Sequence, residues 1–178
     1  MIGIGAADRK AEPSLQRIPS RDGDVPALAL ETFLPYRLNR ISELVSRRFA
    51  AIYRDRFGLT RPEWRALAAL GQFGRMTATS IGRHSSMHKT KVSRAVASLT
   101  LRKWVVRETD ANDRRIEHLT LTREGRRVYG DLAGIAHAYA LRLQTLCGET
   151  AYGALDQGLQ ALEAAFAADG DAPDRDQP

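Results

Sequence analysis

The 178-residue chain has a single cysteine, Cys147, which excludes an intramolecular disulfide framework and suits a reducing compartment. No apolar run reaches the roughly 20 residues needed to cross a bilayer, so no membrane partner is expected. The first residues, MIGIGAADRKAEPS, lack the basic start and apolar core of a secretory signal, and a cytoplasmic protein is the expectation. Catalytic and cofactor signatures are equally scarce. GIGAAD near the start has no preceding strand and so is no dinucleotide loop, no nucleophile elbow occurs, and no acid pair is spaced for catalysis. An enzyme and a cofactor are therefore not expected. His84 and His88 stand four apart but straddle a predicted turn, and His118 and His137 add no nearby cluster, so no metal site is expected either. Cys147 lies on a largely apolar stretch, where an inert core position is expected.

What the chain has is positive charge and helical rhythm. A length of 178 residues and 43% hydrophobic content suit one compact domain. The formal charge is +6, from 27 Lys and Arg against 21 Asp and Glu, and a positive excess favours polyanionic partners. The excess is local. Between His84 and Arg115 stand eight Lys or Arg and three acids, a difference of +5.

Leu34, Leu38, Ile41, Val45, Phe49, Ile52 and Tyr53 recur at intervals that predict a long amphipathic helix stopping near Gly58. LTRPEWRALAALGQFG has the capping-box pair Thr60 and Glu63, with Pro62 in the first turn. TATSIGRH predicts a short helix capped by Thr77, and HKTKVSRAVASLTLRKW a longer one with Val92, Val96 and Leu99 inward. About three residues, Ser85 to Met87, join them, the connection of a helix-turn-helix. VVRET and EHLTLT around DANDRR read as a β-hairpin. Two more helices follow, one with Val128, Leu132, Ile135, Tyr139, Leu143 and Leu146 on a stripe, the other with Leu155, Leu159, Leu162 and Phe166.

A helix entering the major groove of DNA needs short polar and basic side chains on its first turns, and His88, Lys89, Thr90, Lys91, Ser93 and Arg94 supply them. A hairpin beside it with arginines near its tip can reach the adjoining minor groove. Any one of these cations is ordinary on a solvated face. Their ordered combination with a short turn argues for a winged helix. The expected fold class is thus mainly α with a small β-hairpin wing.

LTRPEWRALAALG followed by KTKVSRAVASLTLRKWVVRETDANDRRIEHLTLTREG resembles the MarR family of winged-helix transcription regulators. Its hallmarks are an Asp-x-Arg-Asp-x-Arg wing, here Asp110, Asn112, Asp113 and Arg115, and a Leu-x-Leu-Thr-x-x-Gly junction, here Leu119, Leu121, Thr122 and Gly125. The resemblance covers roughly residues 30–167. It implies a homodimer held by the first and last helices and two winged helices reading a palindromic operator in double-stranded DNA. Two departures carry expectations. Asn112 replaces an arginine, which leaves Asp113 to pair with Arg115 and Arg114 to reach the groove. Lys103 stands where the family usually has glycine, and a left-handed lysine is costly, so a differently built turn is expected there.

Effectors in this family commonly bind between the dimerisation helices and the winged helix. Tyr36, Arg37, Arg40, Trp64, Arg65, His137 and Tyr139 offer aromatic walls and cationic anchors for an aromatic carboxylate or its CoA thioester. The expected organisation is a disordered arm over 1–27, a dimerisation helix over 28–58, the winged helix-turn-helix over 59–122, C-terminal dimerisation helices over 123–167 and a disordered acidic tail over 168–178. The leading expectation is a repressor released by a small aromatic acid. The alternatives are an effector-independent regulator or activator, and a helical protein-interaction module.

Overall fold

The computed structural model describes residues 28–169, so the arm expected over 1–27 and nearly all of the acidic tail lie outside the described residues. The order is α1 (Leu34–Phe57), α2 (Arg61–Phe73), α3 (Ala78–Ser85), α4 (Lys89–Leu101), β1 (Val105–Thr109), β2 (Glu117–Leu121), α5 (Arg123–Cys147) and α6 (Glu149–Ala168). Ala168, expected at the start of the tail, still belongs to α6, because the amide of Asp169 donates to the carbonyl of Ala165 and closes the last turn. The chain divides into two compact units, 1–41 and 42–178, with the boundary inside α1.

In the first unit a turn precedes α1. The Thr32 amide and hydroxyl and the Phe33 amide all donate to the carbonyl of Ala29. Leu34, Leu38 and Ile41 leave their side chains exposed.

The second unit is built on helix caps that the sequence spells out. Thr60 and Glu63 form a complete capping box, the Thr60 side chain accepting from the Glu63 amide while the Glu63 carboxylate accepts from the Thr60 amide. Thr77 caps α3 through the Ser80 amide, and Thr122 caps α5 through the Gly125 amide. The core gathers Tyr53, Leu67, Leu70, Ile81, Val92, Val96, Leu99, Val105, Leu119, Val128 and Leu132, all buried. Phe49 packs edge-on to Tyr53 and Trp64 and stacks on Tyr139, which joins α1, α2 and α5 through rings. The Tyr139 hydroxyl donates to the carbonyl of Val45 at 2.9 Å.

The stripes on the last two helices are only partly covered. On α5, Val128 and Leu132 are buried while Leu146 is 63% exposed, and on α6 no residue is buried. Cys147 is exposed at the end of α5, contrary to the core position expected for it, because α5 has by then run past the core.

The junction after α4 corrects a second expectation. Lys103 has φ of 62°, so the left-handed turn is kept although the residue is not glycine. Surrounding hydrogen bonds hold it. The Trp104 amide donates to Leu99, the Thr122 amide donates to the Trp104 carbonyl, and the Thr122 hydroxyl donates to the Lys103 carbonyl at 2.8 Å. Gly125 is required at this contact, since a Cβ there would stand 2.0 Å from the Trp104 carbonyl oxygen.

Candidate DNA-binding surface

Helices α3 and α4 are joined through Ser86, which adopts left-handed φ and ψ of 48° and 50°. The Met87 amide returns to the carbonyl of Gly82, and a Cβ on Gly82 would approach the Met87 carbonyl to 3.0 Å. The turn is tight for that reason. His88, expected as the first helical residue, instead forms the N-cap of α4, where its Nδ1 accepts from the Thr90 amide at 3.3 Å. An N-cap must leave helical φ and ψ so that its side chain can reach back to the free amides.

From that cap, α4 presents two different faces. Val92, Ala95, Val96 and Leu99 are buried, whereas Lys89, Thr90, Lys91, Ser93 and Arg94 are exposed. Among the described residues none of Lys89, Lys91 and Arg94 meets a carboxylate. Their charge is available to a polyanion. The opposite side of α4 is held to α2 by a buried acid. Glu63 is only 6% exposed, and its carboxylate accepts from the Ser98 hydroxyl as well as from Thr60. Burial pushes the Glu63 carboxyl up, but the hydrogen bonds from Ser98 and Thr60 outweigh it and the net shift is downward.

The wing is antiparallel, with Val105 opposite Leu121 and Arg107 opposite Leu119. Met76 adds a single bridge to Leu119 through two backbone hydrogen bonds, 3.1 and 2.7 Å, and so anchors the wing in front of α3. Arg107 reaches diagonally to Glu117 at 3.2 Å. At the tip, Asp110 accepts from the amides of Asn112 and Asp113, and its other oxygen lies 2.9 Å from Nε2 of His118. Those bonds, led by the Asn112 amide, hold the Asp110 carboxyl down to about 2. Asp113 and Arg115 do not form the expected side-chain pair. Instead the Asp113 carboxylate accepts from the Arg115 backbone amide at 2.9 Å, as a short acid does in a tight turn, so both guanidinium groups, Arg114 and Arg115, stay exposed.

Not every cation of this region faces outward. Arg102 donates to the carbonyls of Phe57 and Gly58, both at 2.8 Å, and lies 5.2 Å from the Trp104 ring centroid. It closes the end of α1, where carbonyls have no helical partner. Sequence spacing shows its charge but not this use. The contacts of Ser98 and Arg102 join residues far apart in sequence, and no local signal announces them, whereas His118 meets Asp110 across the hairpin.

Residues expected to hold an effector are dispersed in role. Tyr36, Arg37 and Arg40 are exposed on the first turns of α1, in the first unit. Trp64 and Tyr139 both pack on Phe49, and Arg65 donates to the carbonyl of Ser85 at 3.0 Å. His137 is exposed on α5. Among the described residues no group of three or more His, Cys, Asp or Glu is placed to hold a metal ion, and no helix is long and apolar enough to cross a membrane.

A tight helix-turn-helix, a basic α4 face and a hairpin wing with exposed arginines define a winged-helix DNA-binding protein. The family model for MarR matches residues 57–116. A MarR family transcriptional regulator from Silicibacter pomeroyi DSS-3 is 30% identical, with 77% of this chain and 97% of that one covered and a TM-score of 0.69. The chain belongs to the MarR family of transcriptional regulators. Its fold is shared by NadR in complex with 4-hydroxyphenylacetate, at 19% identity, 82% and 97% coverage and a TM-score of 0.62. It is shared too by BpsR of Bordetella bronchiseptica, whose DNA binding is regulated by 6-hydroxynicotinic acid, at 19% identity, 71% and 98% coverage and a TM-score of 0.61. No curated protein matches the sequence.

Proposed function

We propose that the protein is a dimeric repressor that binds a palindromic operator and is released by a small aromatic acid or its CoA thioester. The observation that carries the DNA half of this reading is the exposed, carboxylate-free row of Lys89, Lys91 and Arg94 on α4, beside a wing whose Arg114 and Arg115 are both exposed. In this reading His88, Lys89, Thr90, Lys91, Ser93 and Arg94 face the major groove, and Arg114 and Arg115 reach the backbone or minor groove beside it, with Asp113 shaping their turn. Residues 28–58 and 123–167 supply the dimer contacts and 59–122 the DNA-binding region.

Dimerisation is supported by apolar side chains that the single chain leaves in water: Leu34, Leu38 and Ile41 in the first unit, and Leu146, Leu155, Leu159 and Phe166 in the second. Two-fold symmetry buries the same patch twice and calls for half-sites about 10 base pairs apart. The effector half of the reading is supported by the aromatic acids named for NadR and BpsR, and by Tyr36, Arg37, Arg40, Trp64, Arg65, His137 and Tyr139 as candidate contacts. An effector-independent regulator is the second reading. It is favoured by the internal engagement of Arg65 with Ser85 and of Tyr139 with Val45, which already occupies one donor of each.

Fluorescence anisotropy with a genomic palindrome, its shuffled counterpart and a titration of 4-hydroxyphenylacetate tests the proposal. Tighter binding to the palindrome, reversed by the acid, is expected. Equal binding to both duplexes removes the operator reading, and insensitivity to every aromatic acid leaves the effector-independent regulator.

A further inference from the structure

The start of α2 grips the helix-turn-helix at two places. Glu63 and Arg65 stand two residues apart, so their side chains leave α2 on different sides. The Glu63 carboxylate accepts from the Ser98 hydroxyl, in the second half of α4. Arg65, half-buried, donates through Nη1 to the carbonyl of Ser85 at 3.0 Å, at the end of α3. One contact holds α4 beyond its exposed basic row, and the other holds the chain just ahead of it.

The Arg65 contact sits beside a backbone position that needs support. Ser86, next in the chain, is a non-glycine residue at φ of 48°, a conformation that persists only where its surroundings hold it. Its amide and that of Met87 both donate to the Gly82 carbonyl and close α3. The Ser85 carbonyl lies past the reach of the helical ladder, and the Arg65 guanidinium supplies its donor. A cation there also faces the negative end of the α3 dipole. Arg65 meets no carboxylate among the described residues that would draw it elsewhere.

We propose that Arg65 is a positioning residue for DNA recognition: by holding the end of α3 it sets the angle at which α4 meets the bases, and so governs discrimination between sequences more than strength of binding. The inference rests on the reading of the exposed α4 row as the surface that faces the major groove, and it needs no effector. Its physical basis is leverage. Lys89 lies about 14 Å along α4 from Ser98, and a tilt of about 5° around that held end moves it by about 1 Å. Binding groups must stand within about 0.5 Å of their productive positions, so hydrogen bonds to base edges fail under such a shift. Contacts from flexible lysines and arginines to phosphates follow charge and survive it.

The test uses full-length protein, duplexes that the wild type selects from fragmented genomic DNA, and shuffled versions of the same duplexes. In Arg65→Ala the ratio of selected to shuffled affinity is expected to fall at least about tenfold, the scale of one lost base contact, while shuffled affinity and its salt slope keep their wild-type values. Arg65→Lys, which retains a charged donor, restores most of the ratio. Amide exchange at Ser86 and Met87 rises in Arg65→Ala while α5 stays as protected as in the wild type, which separates a loosened turn from a loosened fold. Selectivity unchanged in Arg65→Ala overturns the proposal. A parallel loss for both duplexes, with a salt slope flatter by about two per dimer, makes Arg65 a phosphate contact and overturns it too. Where the alanine variant loses protection throughout, Arg65→Gln carries the same comparisons, and loss throughout in both marks a general structural role and ends the idea. A wild type that prefers no sequence removes the operator reading itself, and this inference with it.

Discussion

The carboxylate of Glu63, on the first turn of α2, accepts a hydrogen bond from the hydroxyl of Ser98, on the far half of α4. A capping residue of one helix thereby fixes the position of the helix that carries the exposed basic row. Glu63→Ala strips partners from the Thr60 amide, the Thr60 hydroxyl and the Ser98 hydroxyl together, and a hydrogen bond to a charged group contributes roughly 1.5–3 kcal/mol net, part of which water recovers at the freed Thr60 and Ser98 groups. A loss of about 2–4 kcal/mol in urea unfolding is expected, against about 1–2 for Ser98→Ala. Because the folded-state pKa of Glu63 is depressed, its contribution is present above the ordinary carboxylate pKa of 4.5 and is lost as the pH falls through the lowered value. Wild-type stability should therefore drop with acid below about pH 5 more steeply than that of Glu63→Gln.

Arg94 is exposed on α4 without an acidic partner among the described residues. Its replacement by alanine should reduce operator affinity. If the guanidinium reads a base, the cost is about 1–3 kcal/mol and preference relaxes at one position; if it holds a phosphate, all sequences weaken alike. Anisotropy against a set of single-base operator variants separates the two, and unchanged affinity would mean that α4 does not face DNA this way.

For the wing, salt dependence is the measurement. Removing one phosphate contact per subunit should flatten the slope of log affinity against log salt by about two per dimer, and Arg114→Ala and Arg115→Ala are each expected to do so. Asp110 acts on the order of the tip. With its carboxyl at about 2, it stays ionised and keeps its three bonds down to strongly acidic solution, and the tip loosens only between about pH 4 and 2. Asp110→Ala should raise amide exchange over residues 110–118 at neutral pH and leave the melting temperature of the helices close to that of the wild type.

Two glycines of α5 should respond oppositely to alanine. Gly125→Ala drives a methyl into the Trp104 carbonyl and is expected to cost about 3 kcal/mol or more, since backbone cannot step aside as a side chain can. Gly130 has open space around its Cβ direction, so Gly130→Ala should stabilise by about 0.4–1 kcal/mol through helix propensity and a stiffer unfolded chain. Thermal unfolding of both variants checks the pair.

At Lys103 the expectation is a gain. A non-glycine residue at φ of 62° carries a cost of about 1 kcal/mol, and Lys103→Gly should recover roughly 0.5–1 kcal/mol in the same assay. Equal or lower stability would show that the lysine side chain contributes more than its backbone conformation costs.

Local architecture was legible along the chain. Thr60, Thr77 and Thr122 stand at the starts of α2, α3 and α5 because a hydroxyl just ahead of an apolar-periodic run satisfies the free amides of a first turn, and that signal needs only three or four neighbouring residues. The same locality made the exposed basic row of α4 and the exposed arginines of the wing legible as one basic surface. Which polar groups are already used depended on packing. Arg102 looks like one more cation for DNA until it is seen closing α1, Lys103 keeps a left-handed turn that composition argues against because Thr122 and Trp104 hold it, and Asp113 spends its carboxylate on a backbone amide and not on the Arg115 guanidinium. Likewise a pocket between α3 and the wing joins Phe73 and His84 to His118, more than thirty residues away. Each of these depends on one side chain meeting a group brought near by packing, and a helical or strand period carries information about faces but none about which distant partner a face will meet.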